Sequence, residues 1–136
     1  MLDMPPMKKH VTFSCLFCGL REGNARPVTA RTPAFFAVED KYPVNVGHTL
    51  VIPARHVARM RDLTVAEFAE LKQILEIVQD QLTEQNAEGF NIGVNEGEVA
   101  GQTVSHLHIH VIPRYSGDVA QPRGGVRNIK SALVAY

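Results

Sequence analysis

The chain has no net charge: 14 Lys and Arg balance 14 Asp and Glu. That argues against a general nucleic-acid binder, which is usually clearly basic. No apolar run approaches the roughly 20 residues of a membrane span, so no membrane is expected as a partner. Residues 1–12 hold two prolines and two lysines but lack the apolar core of a secretory signal. They read as a mobile lead-in on a cytoplasmic protein. Cysteine is scarce, with Cys15 and Cys18 alone in the chain. Without an export signal, metal binding or redox chemistry is the better reading of the pair than a structural disulfide. Internal repeats and low-complexity segments are absent. What is present is 136 residues, 45% hydrophobic and 21% charged, enough for one domain with a real core and too few for two.

The cysteines stand as Cys15-Leu16-Phe17-Cys18-Gly19, a C-x-x-C with glycine next, which can form a knuckle whose thiolates share a metal ion. A redox pair needs a strand before it and a helix after it. Neither is evident, since Pro6 and Lys8-Lys9 precede the pair and a polar stretch from Arg21 to Arg26 follows. Reduced, inert thiols are the third reading.

Val28 to Arg31 and Ala34 to Val38 read as strands divided by Pro33, and His48 to Ile52 as a third strand closed by Pro53, with Arg55-His56 just beyond. Thr64 opens the main helix, with Glu67 three residues on to complete a capping box. Phe68, Leu71, Leu75, Val78 and Leu82 form its apolar stripe. Phe90 to Asn95 is a further strand, and a glycine-containing loop returns the chain to a last strand beginning about Thr103. The class is α+β, with about five antiparallel strands and one main helix.

That last strand holds three of the six histidines at alternate positions, His106, His108 and His110. Alternation puts them on one face, with Leu107, Ile109 and Val111 entering a core behind. Imidazole is costly to bury without partners. Three readings compete: a metal cluster as in metal-dependent hydrolases, a structural hydrogen-bonded row, and nucleophilic catalysis by one imidazole. Phosphorus suits the third, because the phosphoramidate formed is labile enough for water to cleave.

Gly101-Gln102-Thr103-Val104-Ser105-His106-Leu107-His108-Ile109-His110-Val111-Ile112-Pro113-Arg114 resembles the signature of the histidine triad (HIT) superfamily. The match extends to Gly47-His48-Thr49-Leu50-Val51-Ile52-Pro53 and to Asn95-Glu96-Gly97. The resemblance implies a HIT domain over residues 13–117, an α+β-meander fold, a homodimer, and hydrolysis or transfer of small-molecule nucleotides at the α-phosphate. Residues 118–136 are left as a basic tail. Carried over position by position, it makes His108 the nucleophile, its ring held by the His106 carbonyl, and His110 the contact to phosphate oxygens. Gln102 and Thr103 match phosphate or leaving-group contacts, with Gln102 counted in the catalytic set. Asn95 matches a phosphate-side contact and Asp40 a ribose contact, while His48 matches a fourth histidine near the site. Read as residues alone, Asp40 could end a strand, Asn95 serve a turn, and His48 be a buried hydrogen-bonder.

Members with an early C-x-x-C resemble this chain in a second respect. They hold structural zinc with two cysteines and two histidines, and the matching positions are Cys15, Cys18, His56 and His106. No organic cofactor is implied. The Ile112-Pro113-Arg114 ending is similar to that of the dinucleoside polyphosphate hydrolases, including the fragile histidine triad type. Arg114, Arg123, Arg127 and Lys130 suit a long anionic substrate, or equally a dimer contact or a solvated tail. Nucleoside phosphoramidate hydrolysis and a non-catalytic nucleotide-binding module are the alternatives.

Overall fold

Pro33 interrupts an apolar stretch that the chain resolves into two antiparallel strands, β1 (Val28–Arg31) and β2 (Phe35–Glu39). The computed structural model describes residues 15–130. The expected lead-in, with His10, and the end of the tail beyond Lys130 lie outside them. Three more strands follow: β3 (Thr49–Pro53), β4 (Gly89–Gly93) and β5 (Ile109–Arg114). They form one sheet in the order β1-β2-β3-β5-β4, every pairing antiparallel. The expected α+β class is the one observed.

Both faces of the sheet centre are covered. Helix α2 (Val65–Glu84) packs on one face, where Phe35, Ala37, Val51, Ile109 and Val111 meet its Leu71, Ile74, Val78 and Leu82. On the other face Phe36, Val38, Leu50 and Ile52 meet Phe17 and Leu20 of a short helix, α1 (Leu16–Leu20). Strand alternation divides the two sets, so β2 and β3 are nearly continuous apolar runs.

Two expectations need correction. Leu71, Val78 and Leu82 of the helix stripe are buried as expected, but Ile74 is fully buried where Leu75 is only partly so, and Phe68 is 56% exposed. Neighbouring helix residues sit about 100° apart, and the line 71-74-78-82 faces the sheet more squarely than one begun at Phe68. Phe68 instead lines an apolar hollow beside β4, with Met60, Leu75, Ile92 and Val94. The last strand also starts later than Thr103. Residues 103–108 run outside the ladder, the Leu107 N–H donating to the Val57 carbonyl at 2.7 Å. The inside–outside alternation nevertheless persists through this stretch, with Leu107 and Ile109 in the core.

Thr64 and Glu67 form the expected reciprocal cap on α2. Glu67 also receives Arg55 through both its oxygens, at 2.8 and 3.0 Å. The Arg55 hydrogen bonds hold the Glu67 carboxyl down at about 2. One carboxylate thus ties the helix start to the end of β3, next to His56.

Candidate active site and metal centre

The three alternating histidines share a face but not a task, because each ring is fixed by a different partner. The His106 Nε2 lies 2.9 Å from the Pro53 carbonyl. A carbonyl only accepts, so the proton is on Nε2 and the lone pair on Nδ1. That Nδ1 faces Cys15 Sγ at 3.4 Å and Cys18 Sγ at 3.6 Å, while Cys18 Sγ lies 3.2 Å from His56 Nδ1. All four ligand atoms fall within 4.8 Å of one another. Zinc–sulfur and zinc–nitrogen bonds of about 2.3 and 2.0–2.1 Å in a tetrahedron give S···N edges of roughly 3.5 Å. The donor set and its spacing therefore fit a metal ion, and the Pro53 carbonyl fixes the tautomer that ligation requires. Without an ion, burial and then the neighbouring Cys15 disfavour the thiolate and push the Cys18 thiol up to about 11, so the positive charge of a metal is what would favour the ligating form.

The local structure differs from expectation here. A helix does follow the first cysteine, since α1 begins at Leu16 with Cys15 as its N-cap. The turn brings Cys15 and Cys18 to one side and sends Phe17 inward. Its ring meets His108 edge-on at 4.8 Å between centroids. Nothing in the sequence marks Phe17 as a neighbour of His108, because the contact depends on how the turn of α1 packs.

His108 is 7% exposed, and its Nδ1 lies 2.8 Å from the His106 carbonyl. Nδ1 is the protonated nitrogen and Nε2 carries the lone pair. The third ring is set by a longer chain of hydrogen bonds. The Val44 N–H donates to His48 Nδ1 at 3.0 Å, which leaves the proton of a neutral His48 on Nε2. That nitrogen stands 2.9 Å from His110 Nδ1 and 3.4 Å from Asp40 Oδ2. His110 accepts at Nδ1, so its own proton is on Nε2. This Nε2 is buried and has no hydrogen-bond partner. An orphaned buried donor is costly, and this one stands beside His108, at 5.1 Å between ring centroids.

His48 and His110 stay neutral for a physical reason. Burial, then the neighbouring His108 and His48, brings His110 down to about 4 against a weaker pull from Asp40. Burial likewise lowers His48. Above about pH 6.5 His110 is neutral both folded and unfolded, whereas below it the unfolded chain binds a proton that the folded chain refuses until about pH 4. Stability should therefore fall by about 2 kcal/mol between pH 7 and pH 5 on this account. Urea unfolding at the two pH values checks it, with His110→Asn expected to show a shallower fall than wild type.

The HIT domain pattern matches residues 22–117. The chain belongs to the HIT domain family. Among HIT relatives, it is 40% identical over 96 residues to the AP-4-A phosphorylase of Mycobacterium tuberculosis, covering 67% of this chain and 48% of that protein. It is 40% identical over 92 residues to the asymmetrical bis(5'-nucleosyl)-tetraphosphatase of Schizosaccharomyces pombe, covering 67% of this chain and 50% of that one. The chain thus spans about half the length of these two relatives. A zinc-bound histidine triad protein from Mycobacterium smegmatis superposes with a TM-score of 0.70 at 34% identity, over 79% of each chain.

Other residues expected to serve a HIT site are placed unequally. Asp40 sits against the histidines, its Oδ2 3.8 Å from His110 Nδ1 and its Oδ1 accepting from the Tyr42 N–H. Gln102 braces the loop before the triad: its Oε1 accepts from the Gly97 N–H at 2.9 Å and its Nε2 donates to the Ala58 carbonyl. Thr103 borders a hollow with Cys15, His56 and Ser105. The Asn95 carboxamide lies against Gly101. Arg114 is already engaged, forking onto Asp118 at 2.7 and 2.8 Å and donating to Asn91 Oδ1. It does not serve as a free phosphate clamp.

Proposed function

We propose that the protein is a nucleotidyl hydrolase cleaving dinucleoside polyphosphates at an α-phosphate through a nucleotidyl-histidine intermediate on His108. The observation that carries this is the orphaned Nε2–H of His110 beside the lone pair on His108 Nε2. One group can attack phosphorus while the other stabilises the oxygen on which charge builds. The His108 lone pair forms an N–P bond as the P–O bond to the departing nucleotide breaks. Water then attacks the same phosphorus, the P–N bond breaks, and a nucleoside monophosphate leaves.

Around that centre Asp40 takes the ribose hydroxyls, while Asn95, Gln102 and Thr103 meet the phosphates and leaving group. His48 acts through His110 by holding its proton on Nε2. The two relatives named for AP-4-A and for bis(5'-nucleosyl) tetraphosphate support the substrate class. Cys15, Cys18, His56 and His106 hold zinc, as the zinc-bound relative supports. Bound there, zinc supplies structural cross-linking between α1 and the approach to β5. The histidine row does not converge on one catalytic ion, because its three rings have three separate partners. A homodimer would cover the hollow of about 650 Å³ between α2 and the edge strand β4, where Phe68 and Ile92 are exposed.

The test is a rate comparison between diadenosine tetraphosphate and adenosine phosphoramidate. At least about a tenfold advantage in kcat/KM for the tetraphosphate is expected, and a reversed preference rejects the proposed substrate class. Including inorganic phosphate identifies the acceptor. AMP remaining the product supports water, whereas ADP makes the enzyme a phosphorylase.

A further inference from the structure

The tautomer of His48 depends on one backbone amide, that of Val44, in the loop between β2 and β3. This loop closes on itself through Asp40 N–H to the His48 carbonyl at 2.8 Å and His48 N–H to the Asn45 carbonyl at 3.0 Å. Its polar ties to the rest of the domain are few. The Asn45 Nδ2 donates to the Pro113 carbonyl at 3.0 Å and to Asp118 Oδ2 at 2.7 Å. The Tyr115 hydroxyl donates to the Val46 carbonyl at 2.8 Å. Gly47, at φ +97°, lets the loop pass where a Cβ would meet Leu82 at 2.9 Å. These three partners, Pro113, Tyr115 and Asp118, lie at the end of β5 and in the chain just after it.

Asp118 is the hub of that clamp. Besides Asn45, its carboxylate accepts the Arg114 fork and the Tyr115 N–H at 3.1 Å. Its side chain is only 15% exposed. Arg114 in turn reaches Asn91 on β4, so the carboxylate is referenced to two strands. We propose that Asp118 is a positioning residue, holding Asn45 so that the Val44 amide fixes the tautomers of His48 and His110. The inference rests on the reading of His110 as the phosphate donor. Charge-assisted hydrogen bonds are the stronger kind, and Asn45 immediately follows the residue whose amide selects the tautomer. With the clamp released, His48 can protonate at Nδ1. It then no longer donates to His110 Nδ1, and the His110 proton can leave Nε2.

Ring ¹⁵N chemical shifts read this without substrate. In Asp118→Ala, the His48 and His110 signals should move toward the average of two tautomers, while those of His106 and His108 stay. Turnover should fall about tenfold with KM changed by no more than about twofold, as for a donor lost from the reacting centre. Asp118→Asn keeps an oxygen for Asn45 and should recover part of both effects. Asn45→Ala leaves the Arg114–Asp118 fork intact and should repeat the ¹⁵N shifts if Asp118→Ala fails to fold. Unmoved His48 and His110 signals in a folded variant of either kind overturn the proposal. Moved signals with undiminished turnover uphold the positioning role and reject instead the assignment of His110 to the phosphate.

Discussion

Turnover of a dinucleoside polyphosphate by His108→Ala is expected to drop by about 10⁴-fold or more, the scale seen when a nucleophile is removed. Binding of a nucleoside monophosphate should survive largely intact, because the pocket keeps His110, Asp40 and the loop before the triad. His108 Nδ1 is committed to the His106 carbonyl at 2.8 Å, so Nε2 is the nitrogen left to form a bond to phosphorus. No other ring can replace it. His106 directs its lone pair at the cysteines, and His110 directs a proton, not a lone pair, into the site. Rapid-quench trapping of labelled nucleotidyl-protein separates the outcomes. Wild type should show an acid-labile burst that the variant lacks, and undiminished turnover in the variant rejects the mechanism. A burst in wild type without turnover indicates a non-catalytic module instead.

Removing the metal should produce the second large effect, on stability more than on chemistry. Metal analysis of freshly purified protein is expected to find about one zinc per chain. Less than about one ion per two chains counts against the site. Cys18→Ser leaves His56 and His106 without one of two thiolate partners. A loss of about 3 kcal/mol is modest for structural zinc and would lower the thermal midpoint by about 10 °C. The site ties α1 to the stretch carrying His106, and α1 places Phe17 against His108. Some loss of rate should therefore accompany the loss of stability. Protein treated with chelator at a temperature where it stays folded should keep measurable activity. Complete loss of activity without loss of fold favours a catalytic metal.

Much of the site was legible in the sequence because its parts are local patterns. The alternation from His106 to His110, the Cys15–Cys18 spacing and the Thr64–Glu67 cap each need only a few residues to be recognised. Phe68 shows where locality fails. Its spacing fits the helix stripe, yet which side of a helix lies deepest depends on where the sheet stands, and Ile74 occupies that place. Arg114 shows the same limit for charge. As a basic residue at the head of a basic tail it suits an anionic ligand, but Asp118 lies four residues on and claims its guanidinium.

The sequence by itself determined the class of fold, the family signature and the residue types available for chemistry, since side-chain periodicity and composition are properties of the chain alone. The division of labour among the histidines was decided by tertiary structure. A ring's reactive nitrogen is whichever one its partner leaves free, and the partners here are Pro53, Val44, His48 and the cysteines. The His106 carbonyl and the Val44 amide are local, but Pro53 and the cysteines reach His106, and His48 reaches His110, from more than 50 residues away along the chain, and no local pattern can say which of them folding will bring to a given ring.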